Sequence, residues 1–144
     1  MSIRETGDGP VIPKHPFGEL IGLTFEQIDR GNSLCRLEVR EVFYNPHRVV
    51  HGGILYTMAD TGMGAAIYPY LQSGELCATV EVKITYFRPV RTGTLTCRSV
   101  VVNRGKTIAS LESDIMNDGK LVARAYGSFS IFMPLPQKAT GDDG

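Results

Sequence analysis

The chain has 144 residues, which suffices for one domain around a single hydrophobic core. Lysine plus arginine equals aspartate plus glutamate at 15 each, so no net charge favours binding to nucleic acid or to an anionic membrane. Three cysteines without a Cys-x-x-Cys spacing predict reduced thiols in a cytoplasmic protein rather than disulfides. The N-terminal segment has no apolar run of the kind that a signal peptide requires.

The first fifty residues predict a loose arm, a helical turn, two strands and a loop. The arm is rich in Gly and Pro, and the two strands alternate apolar and polar residues around a Gly-Asn turn. In chain order these elements are the flexible arm 1–14, the helical turn 15–21, the strands 23–30 and 33–42, and the loop 43–50.

The stretch 49–74 contains one carboxylate, that of Asp60, and neither lysine nor arginine. Its pattern predicts a helix over 53–68, which Pro69 ends or kinks because proline does not fit the interior of a helix. Nearly every face of this helix is apolar or small, which indicates burial on all sides. The central Asp60 and the Gly-Gly pair argue against a membrane span. We therefore expect a core helix that carries a carboxylate.

After the helix the hydrophobic period changes from that of a helix to that of strands. Asp118-Gly119 is a strong signal for a hairpin turn. The predicted strands are 77–88, 94–102, 107–116 and 121–133, followed by a flexible tail over 134–144. One helix with two strands before it and four after it predicts a single α+β domain, an antiparallel sheet wrapped around one long central helix.

The lone carboxylate has two interpretations. Asp60 either lies at a helix edge, where main-chain N–H groups or hydroxyls satisfy it, or it is desolvated for acid–base work. The Gly52-Gly53 pair favours the second interpretation, because bare N–H groups at a helix start suit an anion or a developing oxyanion. A carboxylate and an oxyanion site on one helix together suggest acyl chemistry.

Gly53 and Asp60 are seven residues apart, which is about 10 Å along a helix axis. One acyl group cannot easily touch both. A second copy of the helix, antiparallel in a symmetric dimer, would bring its Asp60 beside this Gly53. We therefore predict composite sites at a homodimer interface, two in each dimer.

Other kinds of site fit the sequence less well. His47 and His51 lie in a loop rather than on one helix face, which disfavours a metal with Asp60. Cys77 has no histidine near it in sequence, and no Gly-x-Ser-x-Gly is present. The Gly-Lys-Thr at 105–107 lacks the first glycine of a phosphate loop. We expect neither a metal nor a separate cofactor.

A set of short motifs resembles a known family. Asn45, His51-Gly52-Gly53 and Asp60 are followed by the segments 80–89 (VEVKITYFRP), 105–107 (GKT) and 118–123 (DGKLVA). Their order and spacing resemble those of the hot-dog-fold acyl-CoA thioesterases of the phenylacetate-degradation type, over about 45–132. The resemblance implies a hot-dog fold and a dimer whose sheets join edge to edge, commonly within a dimer of dimers. It also implies hydrolysis of an aryl- or fatty-acyl-CoA thioester without a metal.

The resemblance also implies roles for individual residues. Asp60 corresponds to the general base or nucleophile, and the N–H of Gly53 to the group that polarises the thioester carbonyl. The supporting positions are His51 and Gly52, which shape the turn, Asn45, which holds the carbonyl or the water, and Thr79, which steadies the water and is serine in some relatives.

Substrate contacts are predicted from residue type and place. The candidates for the acyl pocket are Tyr56, Met63, Tyr68 and Phe87, and those for the coenzyme A phosphates are Arg88, Arg91, Arg104 and Lys106. A non-catalytic acyl-CoA-binding or regulatory protein of the same fold is the alternative to an enzyme, and a hydratase or dehydratase is a weaker one.

Overall fold

The computed structural model describes residues 5–6, 9–10 and 15–136. Its strands and helices lie in the predicted order. They are β1 (Glu5–Thr6), β2 (Gly9–Pro10), α1 (Pro16–Ile21), β3 (Thr24–Asp29), β4 (Asn32–Glu38), α2 (Gly52–Ile67), β5 (Leu76–Tyr86), β6 (Thr94–Arg104), β7 (Ile108–Asn117) and β8 (Lys120–Phe132). No helix within these described ranges is long and apolar enough to cross a membrane.

Strands β3 to β8 form one antiparallel sheet in the order β3-β4-β6-β7-β8-β5. The chain leaves β4, forms α2 across one face of the sheet and returns as β5 at the opposite edge. Helix α2 contacts all six of these strands. The α+β class and the hot-dog architecture, a sheet curved around one long helix, are confirmed.

Helix α2 begins one residue earlier than predicted and ends at Ile67, where a 3-10 turn over Tyr68–Tyr70 contains Pro69. The expectation that the helix is buried on all sides is wrong. The side facing the sheet is buried, but the opposite side is only half-buried, and Tyr56 there is 37% exposed. A two-layer fold covers a helix on one side only, so the small and apolar residues on the other side face outward in the single chain.

A seam of buried hydroxyl groups joins α2 to the sheet. The hydroxyl of Ser33 donates to the carbonyl of Gly62 at 2.6 Å, and that of Ser113 donates to the carbonyl of Ala59 at 3.3 Å. Ser99 and Ser113 share a hydrogen bond of 2.6 Å. A Cβ on Gly62 would lie 2.5 Å from Oγ of Ser99, so this glycine permits the close approach that fixes the middle of α2.

The largest difference from the predicted strand bounds is at the end of β4. Strand β4 ends at Glu38 rather than at residue 42, because the chain enters a 3-10 turn over Glu41–Phe43 that buries Phe43. The predicted hairpin turn is confirmed, with positive φ at Asp118 (46°) and Gly119 (82°). In the predicted arm β1 pairs with β2, while the rest of that arm and residues 137–144 of the tail lie outside the described residues.

Candidate active site

The loop before α2 is shaped by Asn45. Its Oδ1 accepts hydrogen bonds from the N–H groups of His47 at 2.9 Å and Val49 at 3.4 Å. The main chain closes the loop, because the N–H of His51 donates to the carbonyl of Phe43 at 2.8 Å. The Asn45 carbonyl oxygen is therefore engaged in placing His51 at the N-cap of the helix, as asparagine commonly does in turns.

The two glycine N–H groups at the helix start differ in their contacts. The N–H of Gly53 donates to Nδ1 of His51 at 2.8 Å, which is a side-chain N-cap. The N–H of Gly52, at the first helical position, has no hydrogen-bond partner within residues 15–136. The sequence pointed to Gly53 as the oxyanion donor, but the structure engages that group and leaves its neighbour available.

Tyr86, at the end of β5, contacts the same glycine and was not identified from the sequence. Its hydroxyl donates to the carbonyl of Gly52 at 2.7 Å. A Cβ on Gly52 would lie 2.9 Å from Cζ and Oη of Tyr86, so only glycine fits under the ring. Burial and the nearby Tyr56 raise the pKa of Tyr86 above its ordinary value. The one signal in the sequence was its place within the motif 80–89.

Asp60 lies on α2, eight residues after Gly52, and its side chain is half-buried. The hydroxyl of Thr79, on β5, donates to Oδ1 of Asp60 at 2.7 Å. The structure therefore brings together two predicted site residues that are 19 positions apart. A hydroxyl partner is what the first interpretation of Asp60 requires, and a half-buried, oriented carboxylate also remains suited to proton transfer.

Cys77 lies near this carboxylate, and Tyr68 lies near Cys77. The pKa of the Cys77 thiol is raised, first by burial and then by the negative charge of Asp60. The pKa of Tyr68 is raised by burial and by Cys77. Both side chains therefore stay protonated near neutral pH, which agrees with Cys77 being a packing residue rather than a nucleophile.

An open groove of about 400 Å³ lies between the helix start and the end of β5. It brings Gly52, which was predicted to shape the turn, together with two predicted substrate contacts, Phe87 and Arg88. The remaining lining residues are mainly apolar: Val49, Val50, Leu55, Tyr86, Pro89 and Val90. A mostly apolar concave surface with a few polar groups is typical of a small-molecule site.

The structure does not bring the other predicted substrate contacts to this groove. Met63 is fully buried beneath β8, where a Cβ on Gly127 would lie 2.4 Å from its Sδ. Tyr56 is exposed on α2, and Tyr68 follows the far end of that helix. Arg91 is exposed, and its carbonyl accepts a hydrogen bond from the hydroxyl of Tyr44.

Arg104 and Lys106 lie at the β6–β7 hairpin. Arg104 forms a salt bridge of 2.9 Å with Glu75, whose side chain is 15% exposed. The same guanidinium donates to the carbonyl of Gly105 at 2.7 Å, so Arg104 ties the hairpin to the segment after α2. Lys106 is exposed. In the ranges that the structure covers, no group of three His, Cys, Asp or Glu side chains is placed to hold a metal ion.

Comparison with known proteins identifies the family of the chain. The family model described as the thioesterase superfamily matches residues 47–123. The chain is 29% identical to mouse acyl-coenzyme A thioesterase 13 over 94 residues, covering 63% of this chain and 66% of the mouse protein. It is 21% identical over 100 residues to the 1,4-dihydroxy-2-naphthoyl-CoA hydrolase of Listeria monocytogenes, covering 69% and 81%.

The fold is similar to solved structures. A mutant of the phenylacetic acid degradation protein PaaI from Thermus thermophilus superposes with a TM-score of 0.75 at 29% identity, covering 81% of this chain and 98% of that one. The match spans nearly the whole of that protein and supports the hot-dog fold of this chain.

Proposed function

This chain belongs to the thioesterase superfamily, and we propose that it hydrolyses an acyl-CoA thioester to a carboxylic acid and free coenzyme A. Its relatives support thioester hydrolysis, because one is an acyl-coenzyme A thioesterase and another a naphthoyl-CoA hydrolase. The observation that carries the proposal is that α2 presents a hydroxyl-bonded carboxylate, Asp60, and an unengaged main-chain amide at Gly52.

In the proposed reaction the thioester carbonyl oxygen lies at the start of α2. The N–H of Gly52 donates to it and stabilises the tetrahedral oxyanion, and one such donor contributes about 3 kcal/mol. We assign this role to Gly52 rather than to Gly53, because Nδ1 of His51 already accepts from the second glycine. His51 then shapes the turn, as the family resemblance implies.

Asp60 acts on the other reactant. As a general base it takes a proton from water, whose oxygen attacks the carbonyl carbon and forms the acid directly. As a nucleophile it attacks that carbon itself and forms a mixed anhydride, which a water then hydrolyses to release the acid and restore Asp60. In either case the C–S bond breaks and the sulfur leaves as a thiolate, which is a good leaving group and takes up a proton from solvent. Thr79 holds one oxygen of Asp60 and so directs the other toward the reactant.

The two halves of the site come from two protomers in this proposal. Gly52 and Asp60 are eight residues apart, about 12 Å along the axis of α2, so one carbonyl group does not reach both. Strand β5 supports a dimer, because among the described residues it pairs only with β8 and its other edge is open. It exposes apolar side chains, with Val80 at 59%, and such an edge strand tends to pair with another chain.

The groove at the helix start supports the choice of substrate. Its apolar and aromatic walls suit the acyl group or the apolar part of the pantetheine, and Arg88 at its edge suits a phosphate of coenzyme A. Arg104 is the weaker phosphate candidate, because Glu75 already neutralises it. The preference between aryl and aliphatic chains, the assembly of two dimers and the cytoplasmic location stay predictions.

A panel of aryl- and fatty-acyl-CoA thioesters with a free-thiol readout tests this function. We expect turnover by the wild-type protein, a loss of about 100-fold or more in Asp60→Asn, as for removal of a positioned acid–base group, and no change in Asp29→Asn at the exposed end of β3. Saturable binding without hydrolysis would identify a binding protein of the same fold. Full activity in Asp60→Asn would remove that carboxylate from the mechanism.

A further inference from the structure

The proposed oxyanion donor, the N–H of Gly52, lies in a Gly-Gly pair at a helix N-terminus, where the backbone is conformationally free unless other contacts hold it. Gly52 and Gly53 are consecutive, and glycine has more conformational freedom than any other residue. Helix ends also fray, because their first N–H groups lack partners within the helix. An oxyanion site is effective only when its donor is held in place before the charge develops. Some contact must therefore restrain this pair of glycines.

Tyr86 supplies such a contact. Its hydroxyl donates to the carbonyl of Gly52 at 2.7 Å, and its ring leaves no space for a Cβ on that residue. The peptide unit that follows Gly52 is held at its other end as well, because its N–H, which belongs to Gly53, donates to Nδ1 of His51 at 2.8 Å. One peptide plane is thus fixed by a donor on one side and an acceptor on the other.

We propose that Tyr86 is a positioning residue of the thioesterase site: it holds the peptide unit after Gly52, while the unit before it, which carries the Gly52 N–H, is held by the N–H of Ile54 donating to the carbonyl of His51 at 2.9 Å. With both neighbouring units held, the Gly52 N–H points toward the substrate carbonyl. This proposal rests on the proposed function. Hydrogen bonds in such a chain also polarise one another, so the Tyr86 hydroxyl strengthens the cap that His51 forms. The raised pKa of Tyr86 keeps the hydroxyl protonated over the working range of pH.

The same strand also restrains the other functional group of the helix. Thr79, near the start of β5, holds Asp60, and Tyr86, at its end, holds Gly52. Because β5 runs antiparallel to α2, its two ends meet the two functional positions of the helix. Tyr86 therefore acts on the oxyanion half of the site and leaves the carboxylate half untouched.

The test compares Tyr86→Phe, which keeps the ring and removes the hydroxyl, with Tyr126→Phe on β8. Tyr126 is 50% exposed and has no hydrogen bond to the helix among the described residues. The substrate is the acyl-CoA that the wild-type protein hydrolyses fastest. We expect kcat of Tyr86→Phe to fall about tenfold, less than the 10²–10³ that loss of the donor itself costs. KM should stay within about twofold, the pH profile of kcat should keep its shape, and Tyr126→Phe should match the wild type.

Amide hydrogen exchange of the segment 49–56, followed by mass spectrometry, gives a readout that does not depend on turnover. We expect faster exchange at the helix start in Tyr86→Phe and no change in Tyr126→Phe. Unchanged exchange, unchanged kcat, or a rise in KM alone would overturn the role of Tyr86. If the wild-type protein hydrolyses no thioester, the proposed function fails, and the exchange result still decides whether Tyr86 holds the glycines.

Discussion

Two glycines in the same helix give the sharpest stability prediction. Gly62 and Gly64 both lie in the interior of α2, where alanine is intrinsically favoured over glycine by about 1 kcal/mol. Their surroundings differ. A Cβ on Gly64 would have its nearest neighbour, Cε2 of Phe129, at 3.9 Å, whereas a Cβ on Gly62 would lie 2.5 Å from Oγ of Ser99. The same substitution should therefore have opposite effects at the two positions.

The loss of stability in Gly62→Ala follows from the displacement of the Ser99 side chain. Its side chain is fully buried and hydrogen-bonded to Ser113 at 2.6 Å, so turning away leaves buried hydroxyls without partners at a cost of about 1–3 kcal/mol. Crowding of a packed interface adds about 1–3 kcal/mol. After the gain in helix propensity, Gly62→Ala should be about 3 kcal/mol less stable than wild type. Gly64→Ala should be about 1 kcal/mol more stable.

The assay is urea unfolding followed by circular dichroism at 222 nm. All three proteins are measured at one protein concentration, because association shifts apparent stability. The double substitution Gly62→Ala with Ser99→Ala adds a check, since removing the hydroxyl relieves the clash and should recover part of the loss. A Gly62→Ala protein as stable as wild type would refute the close approach of helix and sheet.

Three further predictions concern the site. Thr79→Val should lower turnover about 10- to 100-fold, since a hydrogen bond to a charged group contributes about 1.5–3 kcal/mol. Thr85→Val, on the same strand, should keep the turnover of the wild type. Equal turnover in the two variants would contradict the role of Thr79. Cys77 should react with iodoacetamide more slowly than free cysteine at pH 8, and its rate should still be rising at higher pH, because its pKa is raised; alkylation as fast as that of free cysteine would be the opposite result. Arg88→Ala should raise KM for acyl-CoA about tenfold and leave KM for an N-acetylcysteamine thioester, which lacks the phosphates, unchanged. Arg104→Ala should leave KM for acyl-CoA unchanged and lower the free energy of unfolding by about 1 kcal/mol. If Arg104→Ala raised KM and Arg88→Ala did not, the phosphate site would lie at the hairpin.

The fold was predictable because its signals are local. The change of hydrophobic period after Pro69 marks the boundary between helix and strands, and Asp118-Gly119 fixes a hairpin. The end of β4 was predicted too late, because alternation holds only through Arg40 and breaks at Glu41, where the 3-10 turn begins. Arg40 contacts this turn, because its guanidinium lies 4.7 Å from the ring centroid of Phe43, and it also donates to the carbonyl of Leu20, which is a tertiary contact.

The site was predictable in part for the same reason. The motifs around Gly52 and Asp60 carry the family resemblance, the resemblance implies the role of Thr79, and the structure joins Asp60 to Thr79. The choice between the two glycine amides depends on where the ring nitrogen of His51 points. The contact of Tyr86 with Gly52 joins positions 34 residues apart. Neither follows from the local pattern, since both depend on how strand β5 and the loop are placed against the helix.

Strand β5 carries both residues that contact the functional positions of α2, and this explains why the proposed dimer would form through that strand. In each protomer Thr79 and Asp60 mark one end of an antiparallel strand–helix pair, and Tyr86 and Gly52 mark the other. A twofold axis that pairs two copies of β5 antiparallel also reverses one helix relative to the other. Each carboxylate end then meets the partner's amide end, and two equivalent sites form at once. The strand that orients both reacting groups is thus the one whose open edge would recruit the second copy, so association and completion of the site would be the same event.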